Sequence, residues 1–308
     1  MIETNHHESV LFNESIEGLN IKSDGVYVDA TLGRCGHTKG MLKNLGNSGK
    51  VIGLDQDMDA INYARINLTD SRLTTIHCNF SKLQDNLSQL NLLGKVDGIL
   101  MDLGISSPQI DNADRGFSFN KDGALDMRMD QTQTVTAASW LRDSNETEIA
   151  NALYQYGEEK RSRIIASTIK EYQKNNDLNS TLELANLIST VVRPGKKKHP
   201  ATRSFQAIRI VINDELKKLS EALDQSIGAL STNGRLAIIT FHSIEDRIVK
   251  QFIRKHSRPK EILKGLPIRT DDNSQCILKD LGKIKPSRQE ILSNRRSRSA
   301  ILRLVEKC

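Results

Sequence analysis

Residues Val26 to His37 join an apolar segment to a turn that contains two glycines. The β-branched start of the segment predicts a strand that is buried on both faces. Asp29 lies inside this strand, where an unpaired carboxylate would be costly. Gly33 and Gly36 permit a tight turn and the close approach of another molecule, at which a following helix would direct its free N–H groups. These residues predict a nucleotide-type cofactor site, and the alternative is a purely structural turn.

A second acidic residue, Asp55, ends the next apolar segment, nineteen residues past Gly36. A carboxylate at this distance is well placed to accept hydrogen bonds from a ribose diol. The Gly-x-Gly-x-x-Gly fingerprint of nicotinamide folds is absent from the turn. The spacing Asp29-x-x-x-Gly33-x-x-Gly36 resembles instead the first motif of S-adenosylmethionine-dependent methyltransferases.

A second distinctive segment, Asp102-Leu-Gly-Ile-Ser-Ser-Pro-Gln109, follows a later strand. Amino-directed methyltransferases commonly have a short Asp/Asn-Pro-Pro-aromatic segment here, which this segment resembles in a longer form. Its acceptors would orient the lone pair of a target –NH₂ group and disperse the charge that develops on it. The alternative is that Asp102 only caps the next turn. We expect the catalytic residues to be Asp102, Ser106, Ser107 and Pro108.

Two phenylalanines lie in a run of glycines and charged residues between Asp114 and Asp130. This composition indicates a binding loop, in which Phe117 or Phe119 could stack on an extruded base. Phenylalanine more often fills a core, so a packing role is the alternative.

Basic residues are concentrated between Arg193 and Arg209. Together with an aromatic residue and amide donors they suit a nucleic-acid backbone, although a charge run is usually a solvated face. The tail from Lys283 to Arg303, with seven Lys or Arg and one acid, could extend the same surface. The residues expected to contact the substrate are Phe117, Phe119, Lys197, His199, Arg203, Arg209 and His242.

Three histidines need separate interpretation. His6 and His7 have no third ligand at a recognisable spacing, so no metal site is predicted. We expect His7, with Glu8 and Ser9, to lie near the cofactor crevice. His242 directly follows a strand, where it could assist proton release or cap the next helix, and both interpretations stay open.

Alternating strands and helices must position these residues. The apolar strands end at or near Asp29, Asp55, Asn79 and Asp102, with helical segments between them. This order predicts an α/β fold with a mostly parallel, doubly wound, Rossmann-like sheet. Because ligands bind at the carboxyl ends of such strands, we expect all four side chains to point into one crevice.

The alternation stops after Gln109 and resumes with a strand from Arg235 to Phe241. A βαβ step needs about 30 residues, so roughly 90 residues are inserted. We predict that residues 110–203 form a helical insert for substrate recognition, with a packing appendage as the alternative. Residues 1–109 and 204–308 would then form one discontinuous cofactor-binding domain.

The last third of the chain gives three further predictions. The helical period returns from Phe205 to Leu230 and predicts one helix. The segment from Asp271 to Asn294 is polar and predicts a loop. The alternation from Arg298 to Val305 predicts a final antiparallel strand.

Composition limits the class of protein. The chain has 308 residues, 44 Lys or Arg and 38 Asp or Glu, giving a net charge of +6 that suits a polyanionic partner without requiring one. Its four cysteines have no C-x-x-C spacing and imply neither a disulfide framework nor a zinc site. No stretch approaches eighteen apolar residues, and the N-terminus lacks signal-peptide character. We therefore expect a soluble, reduced, cytoplasmic protein.

Seven ordered motifs closely resemble those of the bacterial ribosomal RNA small subunit methyltransferase H family, over essentially the whole chain. The resemblance implies a class I methyltransferase with a helical insert, which methylates N4 of a cytidine in 16S rRNA near the decoding centre of the small ribosomal subunit. The motifs are His6-His-Glu-Ser-Val-Leu, Gly33-Arg-Cys-Gly-His, Asp102-Leu-Gly-Ile-Ser-Ser-Pro-Gln, Arg115-Gly-Phe-Ser-Phe, Leu125-Asp-Met-Arg-Met, His199-Pro-Ala-Thr-Arg and Phe241-His-Ser-Ile-Glu-Asp-Arg.

The resemblance also implies a set of residues that contact S-adenosylmethionine. Cys35 departs from the family, which usually has a second glycine there. A side chain at this position needs a negative φ or a little strain, so the cofactor affinity is expected to differ slightly. The implied cofactor-binding residues are Gly33, Cys35, Gly36, His37, Asp55, Phe80, Asp102 and Gln109.

The implied reaction is a direct in-line transfer, for which alignment of the two reactants can supply on the order of 7–11 kcal/mol. Two other classes of function compete with it. One is a non-catalytic RNA-binding ribosome assembly factor that keeps the fold as a scaffold. The other is a methyltransferase that acts on DNA or a small molecule. The implied partner is 16S rRNA within the small subunit, without membrane or metal, and the protein would be a monomer or a homodimer.

Overall fold

The computed structural model describes residues 9–193, 199–258 and 276–308. The chain divides into two compact units, one formed by Met1–Gly104 with Lys217–Cys308 and the other by Ile105–Leu216. The first unit contains a seven-stranded sheet and the second contains helices. The predicted insert boundaries at residues 110 and 203 lie inside this second unit, which extends further at both ends.

The sheet of the first unit has the strand order β3-β2-β1-β4-β5-β7-β6. Neighbouring strands among β1 to β5 are parallel, whereas β7 is antiparallel to both β5 and β6. The predicted α/β class with a mostly parallel sheet is therefore confirmed. The strands are β1 (Val26–Asp29), β2 (Lys50–Asp55), β3 (Leu73–His77), β4 (Val96–Asp102), β5 (Leu230–Thr240), β6 (Leu278–Ile284) and β7 (Ile301–Lys307).

Alternation along the strands buries both faces of the sheet. In β5, Leu236 and Ile238 pack in one apolar cluster, while Ala237 and Ile239 pack in another. Successive side chains of a strand point to opposite faces, so residues 236–239 of this strand must all be apolar. The helices flanking the sheet are α1 (Phe12–Leu19), α2 (Gly36–Asn44), α3 (Met58–Asn67), α4 (Leu83–Gln89), α11 (Glu215–Ala229), α12 (Ser243–His256) and α13 (Arg288–Ser293).

The second unit has its own apolar core, which includes Leu141, Leu153, Ile165 and Ile208. Three of its helices begin at residues whose side chains accept a hydrogen bond from a backbone N–H group of the first turn, namely Thr136, Asn145 and Ser180. The helices of this unit are α5 (Ser107–Asp111), α6 (Ala137–Asp143), α7 (Glu146–Gly157), α8 (Ser162–Tyr172), α9 (Thr181–Val191) and α10 (Thr202–Asn213).

The single helix predicted from Phe205 to Leu230 is wrong, because two helices occupy this segment. Asp214 adopts a left-handed conformation with φ 50° and ends α10, and α11 begins at the next residue. α10 then packs against α7 inside the second unit, while most of α11 belongs to the first. The apolar spacing continues across Asp214 and therefore hides the break.

The loop predicted from Asp271 to Asn294 is also wrong for the part that the structure describes. Residues Leu278–Ile284 form the edge strand β6, and Arg288–Ser293 form α13. Among the described strands β6 pairs only with β7, and Leu278 is its single buried residue, so its sequence is mostly polar. Residues 271–275 of that prediction lie outside the described residues. The predicted final antiparallel strand is confirmed as β7.

Across the described ranges of the chain, none of the helices combines the length and apolar character needed to span a membrane. In the same ranges no group of three His, Cys, Asp or Glu residues is arranged to hold a metal ion. His6 and His7 lie outside these ranges.

Candidate active site

Asp29 anchors the turn that follows β1. It is 1% exposed, and its Oδ2 accepts a hydrogen bond of 2.6 Å from the Thr38 hydroxyl of α2, while its Oδ1 accepts one of 3.2 Å from the Thr31 N–H. The Thr31 hydroxyl in turn accepts from the Asp102 N–H at 2.7 Å. Burial raises the pKa of Asp29, and its hydrogen bonds oppose that rise. The expectation that Asp29 points into the crevice is wrong, because its carboxylate joins the turn to α2.

The turn itself has two residues in the left-handed region, Gly33 at φ 48° and Cys35 at φ 61°. Gly33 tolerates this conformation, whereas a residue with a Cβ is strained there. The sequence-based expectation of a little strain at Cys35 therefore matches the backbone. A Cβ placed on Gly36 would lie 1.8 Å from the Ser9 Oγ, so the chain at Ser9 passes directly against the turn. His7 and Glu8 lie outside the described residues.

Burial of Cys35 suppresses its reactivity. Its side chain is 0% exposed, and burial, with the charges of Asp29 and Asp55, raises the pKa of the thiol to about 12. Burial likewise raises the pKa of Cys78 to about 11. Cys308 is exposed at the C-terminus.

We expect iodoacetamide at a pH of about 8.5 to label Cys308 well before Cys35 or Cys78, because the thiolate is the nucleophile. Peptide mass spectrometry of the native protein over time measures the order of labelling. Labelling after unfolding in urea is the control, since it should make all three cysteines reactive. Equal rates for Cys35 and Cys308 in the native protein would contradict the burial described above.

Asp55 lies at the end of β2 and faces the glycine turn. Its Oδ2 accepts a 2.8 Å hydrogen bond from the Gly33 N–H, and its Oδ1 accepts one of 2.8 Å from the Asp57 N–H. Burial, together with the charges of Asp57 and Asp29, raises the pKa of Asp55 to about 6, against the lowering effect of these hydrogen bonds. Each carboxylate oxygen has a further lone pair for a ligand, so the residue can both hold the turn and bind a hydroxyl group.

Asn79 and Phe80 follow β3, beside Asp55. The Asn79 side chain accepts from the Ser81 N–H at 2.9 Å and donates to the Gln56 side chain at 2.6 Å. It therefore caps the short 3₁₀ helix Phe80–Lys82 and does not point freely into the crevice. Phe80 is half-buried against the apolar cluster on one face of the sheet.

His37 lies in the first turn of α2 and contacts Val10 and Phe12 near the N-terminus. Its Nε2 lies 3.2 Å from the Val10 carbonyl oxygen, and its ring stacks on Phe12 with centroids 6.0 Å apart. Its Nδ1 lies 3.8 Å from the Asp102 Oδ2. The turn after β1 and the end of β4 therefore approach each other at His37, and the predicted cofactor contacts of His37 and Asp102 stay predictions.

Asp102 ends β4 and has a buried carboxylate oxygen without a partner. Its side chain is 26% exposed as a whole, yet Oδ1 is buried and accepts no hydrogen bond from the described residues. Burial raises the pKa of Asp102 to about 8, and the charges of Asp29 and Glu245 add to the rise. A buried acceptor without a donor is costly, so Oδ1 is a natural place for a donor from a bound molecule.

We expect Asp102→Asn to stabilise the cofactor-free protein at neutral and alkaline pH. The folded-state pKa near 8 lies above the unfolded value of 3.8, so wild-type stability is lost as pH rises through this window, whereas Asn does not titrate. Each unit of raised pKa corresponds to about 1.4 kcal/mol, so the gain should exceed that amount above pH 8. Thermal unfolding of both proteins across the window measures it. A difference in melting temperature that is independent of pH would contradict the prediction.

The start of α5, in the second unit, is formed by Ser106, Ser107, Pro108 and Gln109. Ser106 is the N-cap, its N–H donates to the Gln109 Oε1 at 2.9 Å, and Pro108 lies in the first turn. Ser107 and Gln109 are 7% and 5% exposed. The structure therefore shows that Ser106 and Gln109 cap a helix, and their predicted roles in catalysis and cofactor binding stay predictions.

The two phenylalanines of the predicted binding loop differ in their surroundings. Phe117 is 6% exposed and belongs to the core of the second unit, which is the packing alternative. The half-buried Phe119 stacks on His199 with ring centroids 4.8 Å apart and meets Phe205 edge-on at 5.5 Å. The structure thus brings Phe119 and His199 together into one aromatic pair.

The basic substrate-contact candidates also differ from one another. Arg203 is exposed. Arg209 is paired, since its guanidinium makes two hydrogen bonds of 2.7 and 2.8 Å to Glu215, and its predicted contact with the substrate stays a prediction. Lys197 lies outside the described residues. Charge counting does not reveal such pairing, since Glu215 follows a break in the helix.

His242 is the N-cap of α12, which is one of the two interpretations left open above. Its Nδ1 accepts from the Glu245 N–H at 3.4 Å, and the Glu245 carboxylate accepts from the Phe241 and His242 N–H groups. This arrangement supports the capping interpretation.

Sequence reasoning missed how the loop after α5 is held together. Arg115 is buried and donates to the Met129 carbonyl oxygen at 3.0 Å. The Asn213 amide, at the end of α10, donates to the Met127 carbonyl oxygen at 2.8 Å and accepts from the Met129 N–H at 2.7 Å. The Arg-Gly-Phe-Ser-Phe and Leu-Asp-Met-Arg-Met motifs mark this loop, whereas no pattern in the sequence marks Asn213.

A mostly parallel sheet with a glycine turn after β1 and acids at the ends of β2 and β4 places the protein among Rossmann-like enzymes that bind a nucleoside cofactor. The chain belongs to the MraW methylase family, whose model matches residues 4–308. It is 58% identical to the ribosomal RNA small subunit methyltransferase H of Vesicomyosocius okutanii over 302 residues, 98% of each chain. The protein of the same name from Ruthia magnifica is 58% identical over 303 residues, 98% of this chain and 99% of that one.

An rRNA methylase structure from Streptococcus thermophilus aligns with a TM-score of 0.44 and 13% identity, over 96% of this chain and 94% of that chain. Membership of this family confirms the resemblance inferred from the ordered motifs and makes the protein a methyltransferase that uses S-adenosylmethionine. The site fits this cofactor, since the Asp55 oxygens keep lone pairs for a ribose diol and a Cβ placed on Gly33 would meet no described atom nearer than 3.8 Å. The Asp102 Oδ1 accepts no hydrogen bond from the described residues.

Proposed function

We propose that this protein transfers a methyl group from S-adenosylmethionine to N4 of a cytidine in 16S rRNA, near the decoding centre of the small ribosomal subunit. The observation that carries the amino-group chemistry is the buried Asp102 Oδ1 without a donor at the end of β4. The relatives that are 58% identical over nearly their whole length support the choice of small-subunit rRNA. The ordered motifs support the cytidine and its position.

The cofactor would be held mainly by residues of the first unit. We assign Asp55 to the ribose hydroxyls, and the backbone of the turn from Gly33 to His37 to the methionine part. Asp29 is a positioning residue, because its buried carboxylate accepts hydrogen bonds from Thr31 and Thr38 and thereby holds the turn. The remaining assigned contacts, at Phe80, Asp102 and Gln109, rest on the motif resemblance.

Methyl transfer to a cytosine amine depends mainly on alignment. The amine is a poor nucleophile because its lone pair is delocalised into the ring, and the sulfonium of the bound cofactor supplies an activated methyl group. Asp102 accepts a hydrogen bond from the amine through Oδ1, which fixes the direction of the lone pair. Its raised pKa keeps the side chain largely protonated at neutral pH, and positive charge that develops on the nitrogen favours the ionised carboxylate, which then stabilises that charge. Backbone carbonyls after Asp102 would accept the second N–H, with Ser106 or Ser107 assisting.

We assign the recognition of RNA bases to the helical insert, predicted as residues 110–203. Within it, the Phe119 ring is the candidate for stacking, since Phe117 fills the core. Its pairing with His199 fixes the ring in one orientation.

Asp55→Ala is expected to weaken S-adenosylmethionine binding by about 10- to 100-fold, because hydrogen bonds to a charged acceptor contribute about 1.5–3 kcal/mol. Isothermal titration calorimetry measures the dissociation constant. Asp59→Ala, an exposed carboxylate in the first turn of α3, is the matched control and should leave the constant unchanged. Equal affinity of the wild type and Asp55→Ala would refute the assignment of Asp55 to the ribose.

The substrate proposal is tested by transfer of tritiated methyl groups from S-adenosylmethionine to four acceptors. These are assembled small subunits, protein-free 16S rRNA, DNA and free nucleosides. We expect label in the ribosomal RNA, in one or both of its forms. Label only in DNA or nucleosides would overturn the proposal, and so would binding of S-adenosylmethionine without transfer to any acceptor.

A further inference from the structure

The net positive charge of the protein is concentrated at its C-terminal end. Residues 276–308 contain nine Lys or Arg and three Asp or Glu, a net charge of +6 that equals the net charge of the whole chain. Residues 105–216, which make up the helical unit, contain fifteen of each and are neutral overall. Attraction to a polyanion should therefore be directed at the C-terminal segment, whichever unit recognises the base.

Most of these cations are exposed. Arg303 is bound by Asp246 and Lys307 by two carbonyl oxygens, while seven others have exposed side chains. The seven are Lys279, Lys283, Lys285, Arg288, Arg295, Arg296 and Arg298.

All four of the exposed arginines lie in the connection between β6 and β7. This connection runs from residue 285 to residue 300, whereas two antiparallel neighbours need only about 2 to 5 residues. It is ordered by its own side chains, since the Ser287 hydroxyl caps α13 and the Asn294 side chain accepts from the Arg296 N–H. Ser297 is fully buried and fixes the 3₁₀ turn from which Arg295 and Arg298 extend.

The connection is also hydrogen-bonded to the N-terminal segment that lies beside the turn after β1. Glu290 accepts a 2.8 Å hydrogen bond from the Leu11 N–H, and the neighbouring Val10 carbonyl oxygen lies 3.2 Å from the His37 Nε2. Glu290, the single acidic residue of the connection, is therefore bound by a backbone N–H group.

Protection of a sheet edge is the competing explanation for exposed cations. Lysines on an edge strand prevent pairing with other chains, and β6 is an edge strand with Lys279 and Lys283 on it. The arginines do not lie on the strand, so this explanation does not account for them. Arginine is also the residue best suited to bidentate contact with phosphate.

We propose that the connection between β6 and β7 is the docking surface for the phosphate backbone of RNA, contacted by Arg288, Arg295 and Arg298. The class of ligand rests on the proposed function, whereas the location of the surface rests on the charge distribution and exposure. The contacts would be independent of base sequence, because phosphates carry no sequence information.

The test compares Arg288→Gln/Arg295→Gln/Arg298→Gln with Lys43→Gln/Lys50→Gln/Arg65→Gln, three exposed cations of the same unit. Fluorescence anisotropy with labelled single-stranded RNA gives the dissociation constant across a range of salt concentrations. We expect the arginine variant to bind on the order of tenfold to hundredfold more weakly near physiological salt, with a salt slope lower by about 0.7 for each lost contact. The lysine-rich control should retain nearly the wild-type slope.

Equal losses in the two variants, or no loss in the arginine variant, would overturn the proposal. Unchanged S-adenosylmethionine affinity and melting temperature in the arginine variant establish that it is folded. Methyl transfer by the wild type is measured separately, so a failure of the proposed function is distinguishable from a failure of this surface. RNA binding that depends on the arginines without any methyl transfer would leave the surface standing and remove the enzymatic proposal.

Discussion

Asp102→Ala is expected to lower the rate of methyl transfer at saturating S-adenosylmethionine by a factor of about 10² to 10³, the size found when one preorganised charge-stabilising group is removed. The carboxylate has a buried oxygen without a donor, so its removal takes away the acceptor that we assign to the target amine. Asp102→Asn keeps an acceptor oxygen and loses the charge, so its rate should lie between those of the wild type and Asp102→Ala.

The control for this variant lies on the same strand. Asp97, near the start of β4, accepts from the Val26 N–H and pairs with Lys22, and it has no part in the site. Asp97→Asn should therefore retain the wild-type rate. Single-turnover measurements with small subunits separate transfer from binding. An unchanged rate in Asp102→Ala would remove Asp102 from the catalytic role.

The second large effect is on stability, at Gly123. A Cβ at this position would lie 2.0 Å from the Ala113 carbonyl oxygen and 2.5 Å from its carbon, both of them backbone atoms. Gly123 is also fixed to Thr181 of α9 by two hydrogen bonds, so the loop cannot move away. We expect Gly123→Ala to lower the free energy of unfolding by about 3 kcal/mol.

Gly228→Ala is the matched control, with the opposite expected sign. Gly228 lies inside α11, and a Cβ placed on it would have no described atom within 4 Å beyond its chain neighbours and the backbone of its own helix. Alanine there should raise stability by about 0.5–1 kcal/mol. Thermal and urea unfolding of the two variants measure both effects. A Gly123→Ala protein as stable as the wild type would contradict the close packing of this loop.

The strands that end at Asp55 and Asp102 could be predicted because strands buried on both faces are continuously apolar and end at a polar residue. The sheet class and the family followed from these strands and from the ordered motifs. The edge strand β6 could not be predicted, since a strand with one neighbour and one buried residue carries almost no apolar pattern. The break at Asp214 was hidden for a related reason, because apolar spacing continues from α10 into α11.

The sequence predicted which residues lie at the candidate site, but it did not predict their hydrogen-bond partners. Placing acids at strand ends located Asp29, Asp55 and Asp102, but only the structure shows that Asp29 is satisfied by Thr38 while the Asp102 Oδ1 has no donor. These roles depend on side-chain contacts between residues far apart in the sequence. The ion pair of Arg209 with Glu215 was missed for the same reason.

The measurement that tests the central proposal most directly is mass spectrometry of the nucleosides of 16S rRNA. Small subunits from a strain that lacks this gene would be incubated with S-adenosylmethionine and either the wild-type protein or Asp102→Ala. The proposal predicts N4-methylated cytidine at one position near the decoding centre, formed by the wild type and strongly reduced with Asp102→Ala. A methyl group on another atom or nucleoside, or no methylation by the wild type, would contradict it.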